Sequence, residues 1–581
     1  MPELDIRLHT SQDTLLARAP HILNSPQLGL DIETTGLDPY TNDMICVQIA
    51  NGHDNVVDVI DVRKDNFDHF FKIFLPQYKG QLCIQNAIFD LKWLRHNYGL
   101  LYFENLYDTK LAYQVINAGL DKKSNLLLQS KKYLDVDMDK GIRNEFLLPM
   151  FQIMELSIHQ LQYGALDAWV LPRIAELQKV EIAEAALDKI IWLENKVLPA
   201  FVKAELAGFQ LDTDGWSRIY EEEKENAKHC RNKMLEYTDP LFNPNSSQQV
   251  KKTMERLGIE VPVVYGKETT KAEFLQEIDH PFIKALLDYR TAAKRVSTYG
   301  EEFLNNLNPV TGLLHTSFDQ VGTVTGRVAS NSPNFQNIPK REEGKKYRKC
   351  FIAGDDYNLI AADFAGQEIM VMAQASLDPA LIAIYTEGLD RHQKTASDLF
   401  EVPYDEVTSD QRLLAKTFNF GVSYGSTAWN MANKLGMLIE LVEKKLEDYW
   451  KVYGTLQKWQ RRSGLIALHR GYSETFWGRR RYYPDRSNKG SIMRQGANHI
   501  PQGTSADMTK YATILIDREL EEHKHTATFV NFVHDEDILR ASENCTKEVA
   551  WMVGEKMEEA GAEFVKVIKQ KAEVNIGTYW M

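Results

Sequence analysis

The sequence predicts an α/β protein built from several domains. Its 581 residues exceed what a single hydrophobic core usually holds. Short apolar runs alternate with helical segments through residues 1–180, which is typical of an α/β domain. Residues 181–300 are mostly helical by pattern, with a break at 242–247 where Asn, Pro and Ser cluster.

The composition is that of an ordinary globular protein, with 44% hydrophobic and 26% charged residues. A formal net charge of −13 argues weakly against nucleic acid as a partner, but local basic clusters matter more than the total. The five cysteines show no paired spacing, so neither a disulfide nor a zinc site is expected. Neither a secretory signal nor a membrane-spanning segment is visible, which predicts a cytoplasmic protein.

The first acidic motif lies in residues 28–36, where Asp31 and Glu33 alternate with apolar residues. On a strand, both carboxylates then point to one face. The alternative for this motif alone is a capping or merely exposed pair of acids.

Two further motifs carry acids at helical spacing. Asn86 and Asp90 are four residues apart, as are Tyr163 and Asp167, so each pair is expected on one face of a helix. Together the motifs predict a two-metal site in which Tyr163 orients the attacking water. The expected metal ligands are Asp31, Glu33, Asp90 and Asp167.

A second acidic centre is predicted in the other half of the chain. The apolar run before Asp363 indicates a strand with a carboxylate at its end, and residues 531–539 indicate a hairpin with acids at its turn. Phosphoryl transfer requires positioning and charge neutralisation, which two Mg²⁺ ions held by carboxylates supply. Asp363 and Asp535 are the expected bridging pair, and the fold must bring them together.

Residues 412–425 contain an unusual stripe, because Arg412, Lys416, Phe420 and Tyr424 recur every fourth position. On a helix they form one slanted row of two cations and two aromatic rings. Gly425 follows at the expected helix end. Such a row suits a ligand with phosphates at one end and a base at the other, a nucleoside triphosphate. The alternative is an amphipathic helix with snorkelling Arg and Lys side chains.

These motifs, in this order, closely resemble family A DNA polymerases of the bacterial polymerase I class, preceded by a DEDD-type 3′→5′ exonuclease domain. The resemblance implies that Arg412 and Lys416 hold the triphosphate and that Lys416 also donates a proton to the leaving pyrophosphate. It implies that Phe420 packs on the incoming sugar and base and that Tyr424 stacks near the templating base. Glu368 falls where the family places the side chain that excludes a ribose 2′-OH.

The resemblance also assigns the remaining site residues. Gly366, Gln367 and Met370 depart from the bacterial pattern. Catalysis is still expected, but the details of sugar selection do not carry over from the family at these positions. The implied catalytic residues of the polymerase half are Asp363, Asp535, Glu536 and Lys416, with His534 added to the nucleotide-binding set and Phe364 to the metal site. The implied DNA-binding residues are Arg327, Asn337, Arg494, Asn498, Gln502 and Lys294.

The implied architecture is an RNase H-like exonuclease domain followed by a right-hand polymerase. Its expected parts are the exonuclease domain (1–180), thumb (181–300), palm (301–375), fingers (376–504) and the second palm segment (505–581). The thumb is too short for the thioredoxin-binding insertion of some phage relatives.

The predicted function is template-directed DNA synthesis with 3′→5′ proofreading in phage genome replication. Expected cofactors are two Mg²⁺ at each site, with Mn²⁺ able to substitute. The protein is expected to be a monomer whose partners are primer–template DNA, deoxynucleoside triphosphates and a helicase or primase. The expected compartment is the cytoplasm of a phage-infected host, and an organelle is the alternative. Two alternative functions remain. One is a single-subunit RNA polymerase, which Glu368 disfavours. The other is a nuclease with an inactive polymerase half, which Asp363 and Asp535 disfavour.

Overall fold

The computed structural model describes residues 3–121, 123–139, 141–148, 154–264, 266–339, 344–423 and 425–581. The chain divides into two compact units. The first comprises Met1–Gly208, Thr316–Gln336 and Asp355–Gly577, and the second comprises Phe209–His315, Asn337–Gly354 and Thr578–Met581. The five domains predicted from the sequence divide the chain more finely and stay a prediction.

The first unit begins with a six-stranded mixed sheet. Its strands are β1 (Asp5–His9), β2 (Gln27–Thr34), β3 (Met44–Asn51), β4 (Val56–Asp61), β5 (Gln81–Ile84) and β6 (Asn105–Asp108). The spatial order is β1-β4-β3-β2-β5-β6. β2 is antiparallel to β3 and parallel to β5, and β5 is parallel to β6. This sheet confirms the α/β character predicted for residues 1–180.

Helices alternate with these strands and continue after the last of them. Within the described residues they are Gln12–Leu16, Ala19–Leu23, Ala87–Tyr98, Thr109–Ile116, Leu126–Leu134, Ile158–Ala185 and Asp188–Ala207, with a short π-helix at Phe70–Phe74 and 3₁₀ turns at Leu75–Gln77 and Ile142–Glu145. The sequence-predicted helical character after residue 181 is confirmed by Asp188–Ala207 and by the helices of the second unit.

β2 shows why its acids face one way. Leu28, Leu30 and Ile32 belong to one hydrophobic core. Side chains alternate along a strand, so Asp31 and Glu33 face the opposite side. The strand is buried at every position except Asp31, as expected for a central strand covered on both faces.

The next strands along the chain are β7 (Gln210–Leu211), β8 (Val263–Val264), β9 (Lys267–Glu268), β10 (Ser317–Asp319), β11 (Ala329–Asn331) and β12 (Phe351–Ile352). β10 and β11 pair with each other in the first unit. The other four belong to the second unit, in which β7 pairs with β12 and β8 with β9.

The second unit is mainly helical. The helices Thr213–Leu235 and Pro281–Tyr299 pack along each other, and Met234 and Phe282 share their core. Trp216 stacks on Phe303 with ring centroids 4.4 Å apart. The other helices of this unit are Ser247–Arg256, Ala272–Leu275, Glu301–Leu304 and Lys345–Arg348.

A second sheet carries the later acidic motifs. The remaining strands are β13 (Tyr357–Phe364), β14 (Tyr472–Glu474), β15 (Arg480–Tyr482), β16 (Ala527–Val533), β17 (Glu536–Ser542) and β18 (Ala572–Gly577). β16, β17, β13 and β18 form an antiparallel sheet in that order, and β14 pairs with β15.

The helix Lys489–His523 and the helix Thr546–Phe564 pack together beside this sheet. Lys489–His523 continues unbroken across the predicted boundary between residues 504 and 505. The helices between β13 and β14 are Gln367–Ser376, Pro379–Thr386, Arg391–Phe400, Ser409–Ser423, Ala428–Leu435, Ile439–Val452 and Gly454–Arg470. No described helix combines the length and apolar character needed to span a bilayer.

A buried ionic cluster joins the helix Asp188–Ala207 to the long helix Lys489–His523. Glu194 accepts a hydrogen bond from Lys510 Nζ at 2.6 Å and pairs with Arg479. Arg479 Nε donates to Asp507 at 2.7 Å. All four side chains are at most 3% exposed, so each charge depends on its partners.

Candidate active sites

The first acidic cluster is assembled between β2 and the helix Ile158–Ala185. Carboxylate oxygens of Asp31, Glu33 and Asp167 lie within 4.8 Å of one another. Glu33 and Asp167 are buried, and Asp31 is partly exposed. Three carboxylates at this distance repel one another unless a cation lies among them, and hard oxygen ligands suit Mg²⁺ or Mn²⁺. The donor set therefore fits the predicted metal.

Two glycines permit this close approach. A Cβ on Gly29 would lie 2.0 Å from the carbonyl oxygen of Ala168, so β2 touches the helix backbone there. A Cβ on Gly164 would lie 2.6 Å from Nε2 of Gln48. The helix therefore lies directly on the strand that carries the acids.

Asp90 lies in the helix Ala87–Tyr98 and is 2% exposed. Burial, followed by the charge of Asp31, raises the pKa of Asp90 well above its usual value. Within the described residues, the group with mutually close oxygens contains Asp31, Glu33 and Asp167 but not Asp90. A cation among these acids would favour ionised Asp90.

The prediction that Asn86 shares a helix face with Asp90 is wrong. Asn86 precedes the helix with a left-handed φ of 64°, and its side-chain oxygen accepts a hydrogen bond from Lys110 Nζ at 2.8 Å. Asp108 determines this boundary, because its carboxylate accepts hydrogen bonds from the amides of Asn86 and Ala87.

Tyr163 and Asp167 lie one turn apart on the helix Ile158–Ala185, as predicted. Burial raises the pKa of Tyr163, with further contributions from the charges of Asp167, Glu33 and Asp31. The hydroxyl thus remains protonated at neutral pH and available as a hydrogen-bond donor or acceptor.

A cleft of about 750 Å³ opens onto this cluster. Besides the acids and Tyr163, its lining includes Lys110, Lys123 and Arg143, and the apolar side chains Leu37 and Phe89. Sequence reasoning missed these cations, because single Lys and Arg residues carry no signal until the fold places them beside the acids.

The second acidic centre is created by strand pairing. β13 and β17 are antiparallel, and their register places Asp363 directly opposite Glu536. Directly opposed residues project from the same face of a sheet with Cβ atoms about 4.5–5.5 Å apart. His534 and Asp535 form the two-residue turn between β16 and β17, and His534 has a φ of 60°. The predicted strand and hairpin are confirmed, and Phe364 ends the strand beside Asp363.

Asp537 is an additional acid that sequence reasoning missed. It is fully buried behind the hairpin, and its carboxylate accepts a hydrogen bond from Thr513 Oγ1 at 2.8 Å. Burial, then the charges of Asp363 and Glu536, raises the pKa of Asp537 to about 7. The contact with Thr513 fastens β17 to the long helix Lys489–His523.

The helix Ser409–Ser423, here named the cationic helix, presents its predicted stripe outward. Lys416 and Phe420 are exposed, and Phe420 is 41% exposed, whereas Phe418 and Val422 on the other side are buried. Arg412 is half-buried and donates two hydrogen bonds to Asp390, at 3.2 and 2.6 Å. Lys416 and Phe420 are therefore accessible to a ligand, whereas Arg412 is held by Asp390.

The end of the cationic helix also matches the prediction, since the helix stops at Ser423 and Gly425 has a φ of 65°. Tyr424, predicted to stack near the templating base, lies outside the described residues.

His392 lies beside the stripe and was missed from the sequence. Its ring centroid is 5.8 Å from that of Phe420, and its Nδ1 is 3.1 Å from Nδ2 of Asn419. Burial and the charge of Arg391 lower the pKa of His392 to about 4, with Arg412 and Lys416 contributing. A lone His in a sequence does not indicate a binding site, and only the tertiary structure places this one near two cations.

Glu368 and Arg327 form an ion pair. Glu368 lies in the first turn of the helix Gln367–Ser376, and Arg327 precedes β11. The structure thus joins the predicted sugar-selecting residue to a predicted DNA contact.

The other predicted DNA contacts lie in two places. Arg494, Asn498 and Gln502 recur every fourth residue along the helix Lys489–His523; Arg494 is exposed and the other two are half-buried. Lys294 and Asn337 are exposed in the second unit. The roles of all predicted site residues stay predictions.

Comparison with known proteins addresses the whole chain. Residues 214–581 match the model of DNA polymerase family A, and residues 6–180 match that of a 3′-5′ exonuclease. DNA polymerase I of Chloroflexus aurantiacus is 29% identical over 609 residues, covering 100% of this chain and 63% of the relative. The thermostable DNA polymerase I of Thermus aquaticus is 32% identical over 412 residues, covering 68% of this chain and 49% of the relative.

The chain thus spans about half to two thirds of the length of these curated relatives. A solved structure, the POL domain of Pol1 from M. smegmatis in complex with DNA primer-template and dNTP, superposes with a TM-score of 0.87. It is 24% identical and covers 99% of both chains, which shows a shared fold. The predicted fold class, an exonuclease domain followed by a polymerase domain, is confirmed. Because the family model matches more than half of the sequence, the chain belongs to DNA polymerase family A.

Proposed function

We propose that this protein is a template-directed DNA polymerase with a 3′→5′ proofreading exonuclease, with separate active sites for the two reactions. The observation that carries the polymerase assignment is the β13–β17 register, which sets Asp363 opposite Glu536 at the hairpin that bears Asp535. The cationic helix supplies the complementary charge for a triphosphate.

Arg412, Lys416 and Phe420 bind the incoming nucleotide in this proposal. The two cations neutralise the triphosphate, and Phe420 packs on the sugar and base. Lys416 donates a proton to the leaving pyrophosphate. His392 lies beside this stripe as a neutral ring, because burial, followed by the charge of Arg391, lowers its pKa to about 4. The negative charge of an approaching triphosphate acts in the opposite direction and raises that pKa. Binding therefore favours proton uptake by His392.

Asp363 and Asp535, with Phe364 beside them, would hold two divalent cations at the polymerase site. Asp31, Glu33, Asp90 and Asp167 would hold two at the exonuclease site, where the clustered oxygens support the assignment. Mg²⁺ is the proposed ion and Mn²⁺ its substitute; when bound, such ions neutralise the phosphate and activate the attacking oxygen. Tyr163 orients the attacking water through its protonated hydroxyl.

Glu368 selects deoxynucleotides by crowding a ribose 2′-OH, and its pairing with Arg327 supports a fixed side-chain position. Arg327, Asn337, Arg494, Asn498, Gln502 and Lys294 are the proposed contacts to primer–template DNA. Minor-groove acceptors are common to all base pairs, so Asn and Gln contacts there are sequence-independent. The setting in phage genome replication, a helicase or primase partner, the monomeric state and the host cytoplasm rest on the sequence analysis alone.

Extension of a 5′-labelled primer on a longer template tests this proposal. Each reaction contains Mg²⁺ and either deoxynucleotides, ribonucleotides or no nucleotide. The proteins compared are wild type, Asp535→Ala, Asp31→Ala and the control Asp410→Ala. Asp410 is an exposed carboxylate in the first turn of the cationic helix, so its loss is expected to change neither activity.

The expected result is extension lost only in Asp535→Ala and 3′ shortening lost only in Asp31→Ala. Shortening without extension in wild type would leave a nuclease with an inactive polymerase half. Preferential use of ribonucleotides would instead support an RNA polymerase.

A further inference from the structure

The helix Gly454–Arg470 has a strongly basic exposed face that the proposed polymerase and exonuclease sites do not use. No Asp or Glu occurs within the helix, although the whole chain has a formal net charge of −13. The neighbouring helix Ile439–Val452, by contrast, mixes acids with lysines. The exposed basic side chains, here named the basic face, are Lys458, Arg461, Arg462, His469 and Arg470.

The spacing places these residues in one row. Lys458, Arg461 and Arg462 are three and four residues apart, and His469 and Arg470 follow seven and eight residues after Arg462, so all five share one side of the helix. The row from Lys458 to Arg470 extends about 18 Å at a rise of 1.5 Å per residue. Leu465 and Ile466, which are 37% and 38% exposed, lie in the middle of it.

Among the described residues, acids neutralise the basic face only at its far end, where Arg470 pairs with Glu474 at 3.5 Å. Across the described part of the chain, no carboxylate oxygen lies within 4 Å of the side-chain nitrogens of Lys458, Arg461 or Arg462. At the far end, Tyr472 lies between two guanidinium groups, with Arg470 at 4.4 Å and Arg480 at 4.5 Å from its ring centroid. A surface helix that is merely solvated usually mixes charge signs, so this face suits a polyanion.

The opposite side of the helix identifies which polyanion is within reach. Gly464 packs on the helix Lys489–His523 so closely that a Cβ there would lie 2.7 Å from the carbonyl oxygen of Met493. Met493 precedes Arg494, a proposed DNA contact. A nucleic-acid strand leaving Arg494 needs to cross only one helix, about 10 Å in diameter, to meet the basic face.

We propose that the basic face binds the phosphates of single-stranded template DNA, with Leu465 and Ile466 contacting its bases. The row accommodates about five nucleotides at about 3.4 Å per nucleotide. This inference rests on the proposed polymerase function for the presence of a template strand, but it concerns a binding site outside the catalytic centres.

Arg461→Glu/Arg462→Glu is the test variant, and Lys434→Glu/Lys444→Glu is its control with the same change of charge. Lys434 and Lys444 are exposed on the neighbouring helices Ala428–Leu435 and Ile439–Val452. Binding to fluorescent primer–templates with dT overhangs of about 4 or about 30 nucleotides is measured in EDTA at several salt concentrations. Nucleotide incorporation on the short-overhang DNA, measured separately with Mg²⁺, verifies that each variant is folded.

The test variant is expected to bind the long-overhang DNA about tenfold more weakly. The slope of the logarithm of its binding constant against the logarithm of salt concentration should be shallower by about 1.4, because two phosphate contacts are lost. Its binding to short-overhang DNA and the behaviour of the control stay as in wild type. Equal affinity of wild type and the test variant for the long overhang overturns the inference, as does equal weakening on both DNAs.

Anionic lipid vesicles provide the competing probe. Binding of wild type to phosphatidylserine vesicles, lost in the test variant while DNA binding is unchanged, would assign the face to a membrane surface instead. Failure of wild type to extend any primer would contradict the proposed function, whereas the overhang comparison in EDTA would still decide the role of the basic face.

Discussion

Replacing Gly29 with alanine is expected to lower the proposed exonuclease activity roughly 100-fold while leaving primer extension intact. An added Cβ would lie 2.0 Å from the carbonyl oxygen of Ala168 and 2.8 Å from Cδ of Pro172. Ordinary contacts begin at 3.4 Å, so β2 and the helix Ile158–Ala185 must separate by about 1.4 Å. Because the obstacle is a helix backbone rather than the end of a side chain, rotation cannot relieve it.

The separation acts directly on the site. Asp167 is adjacent to Ala168, and Tyr163 lies just over one turn earlier, so both move away from Asp31 on β2. A misplacement of about 1 Å of catalytic groups lowers rates roughly 100-fold. Overpacking at such a contact also destabilises by about 1–3 kcal/mol.

The assay follows 3′ shortening of a 5′-labelled single strand and primer extension in parallel. Gly164→Ala provides a graded comparison, because its Cβ would meet only the side-chain end of Gln48, and a smaller loss is expected. In Gly454→Ala, an added Cβ has no described atom within 4 Å, so both activities should remain. Wild-type exonuclease activity in Gly29→Ala would refute the reasoning, as would loss of both activities in a protein with an unchanged melting temperature.

Three further outcomes are expected. Burial, followed by the charges of nearby Arg residues, lowers the pKa of His499 to about 3, so the unfolded state binds a proton that the folded state does not, and stability falls as the pH drops from about 6.5 towards 3. The melting temperature of His499→Gln should therefore fall less steeply than that of wild type over this pH range. Parallel curves of melting temperature against pH would contradict this prediction. Glu194→Ala leaves Arg479 and Lys510 buried without their shared partner, which should lower the free energy of unfolding by about 3–5 kcal/mol. An unchanged midpoint of denaturant-induced unfolding would contradict this prediction. Glu368→Ala should lower discrimination against ribonucleotides, measured as the ratio of kcat/KM values, and an unchanged ratio would exclude Glu368 as the sugar-selecting residue.

Local patterns in the sequence predicted the individual elements of both sites. Alternation placed Asp31 and Glu33 on one face of a strand, and four-residue spacing placed Arg412, Lys416 and Phe420 in one row along a helix. These predictions succeed because strand and helix periodicities depend on neighbouring residues alone. The glycine at 425 indicated the helix end for the same local reason.

Asn86 marks the limit of such reasoning. Its spacing from Asp90 predicted a shared helix face, but the carboxylate of Asp108 binds the amides of Asn86 and Ala87 and starts the helix after Asn86. That carboxylate comes from the next strand of the sheet, so no local pattern contains the information.

The sequence by itself determined which chemical groups this protein has and, except for Asn86, on which elements they lie. Only the tertiary structure decided which groups meet: Asp167 with Asp31, Asp363 opposite Glu536, His392 beside Phe420, and Glu368 with Arg327. Each of these contacts joins separate elements of the chain, and its geometry follows from packing and strand register. Packing and register are set by the burial of whole surfaces, which the spacing of a few residues does not specify.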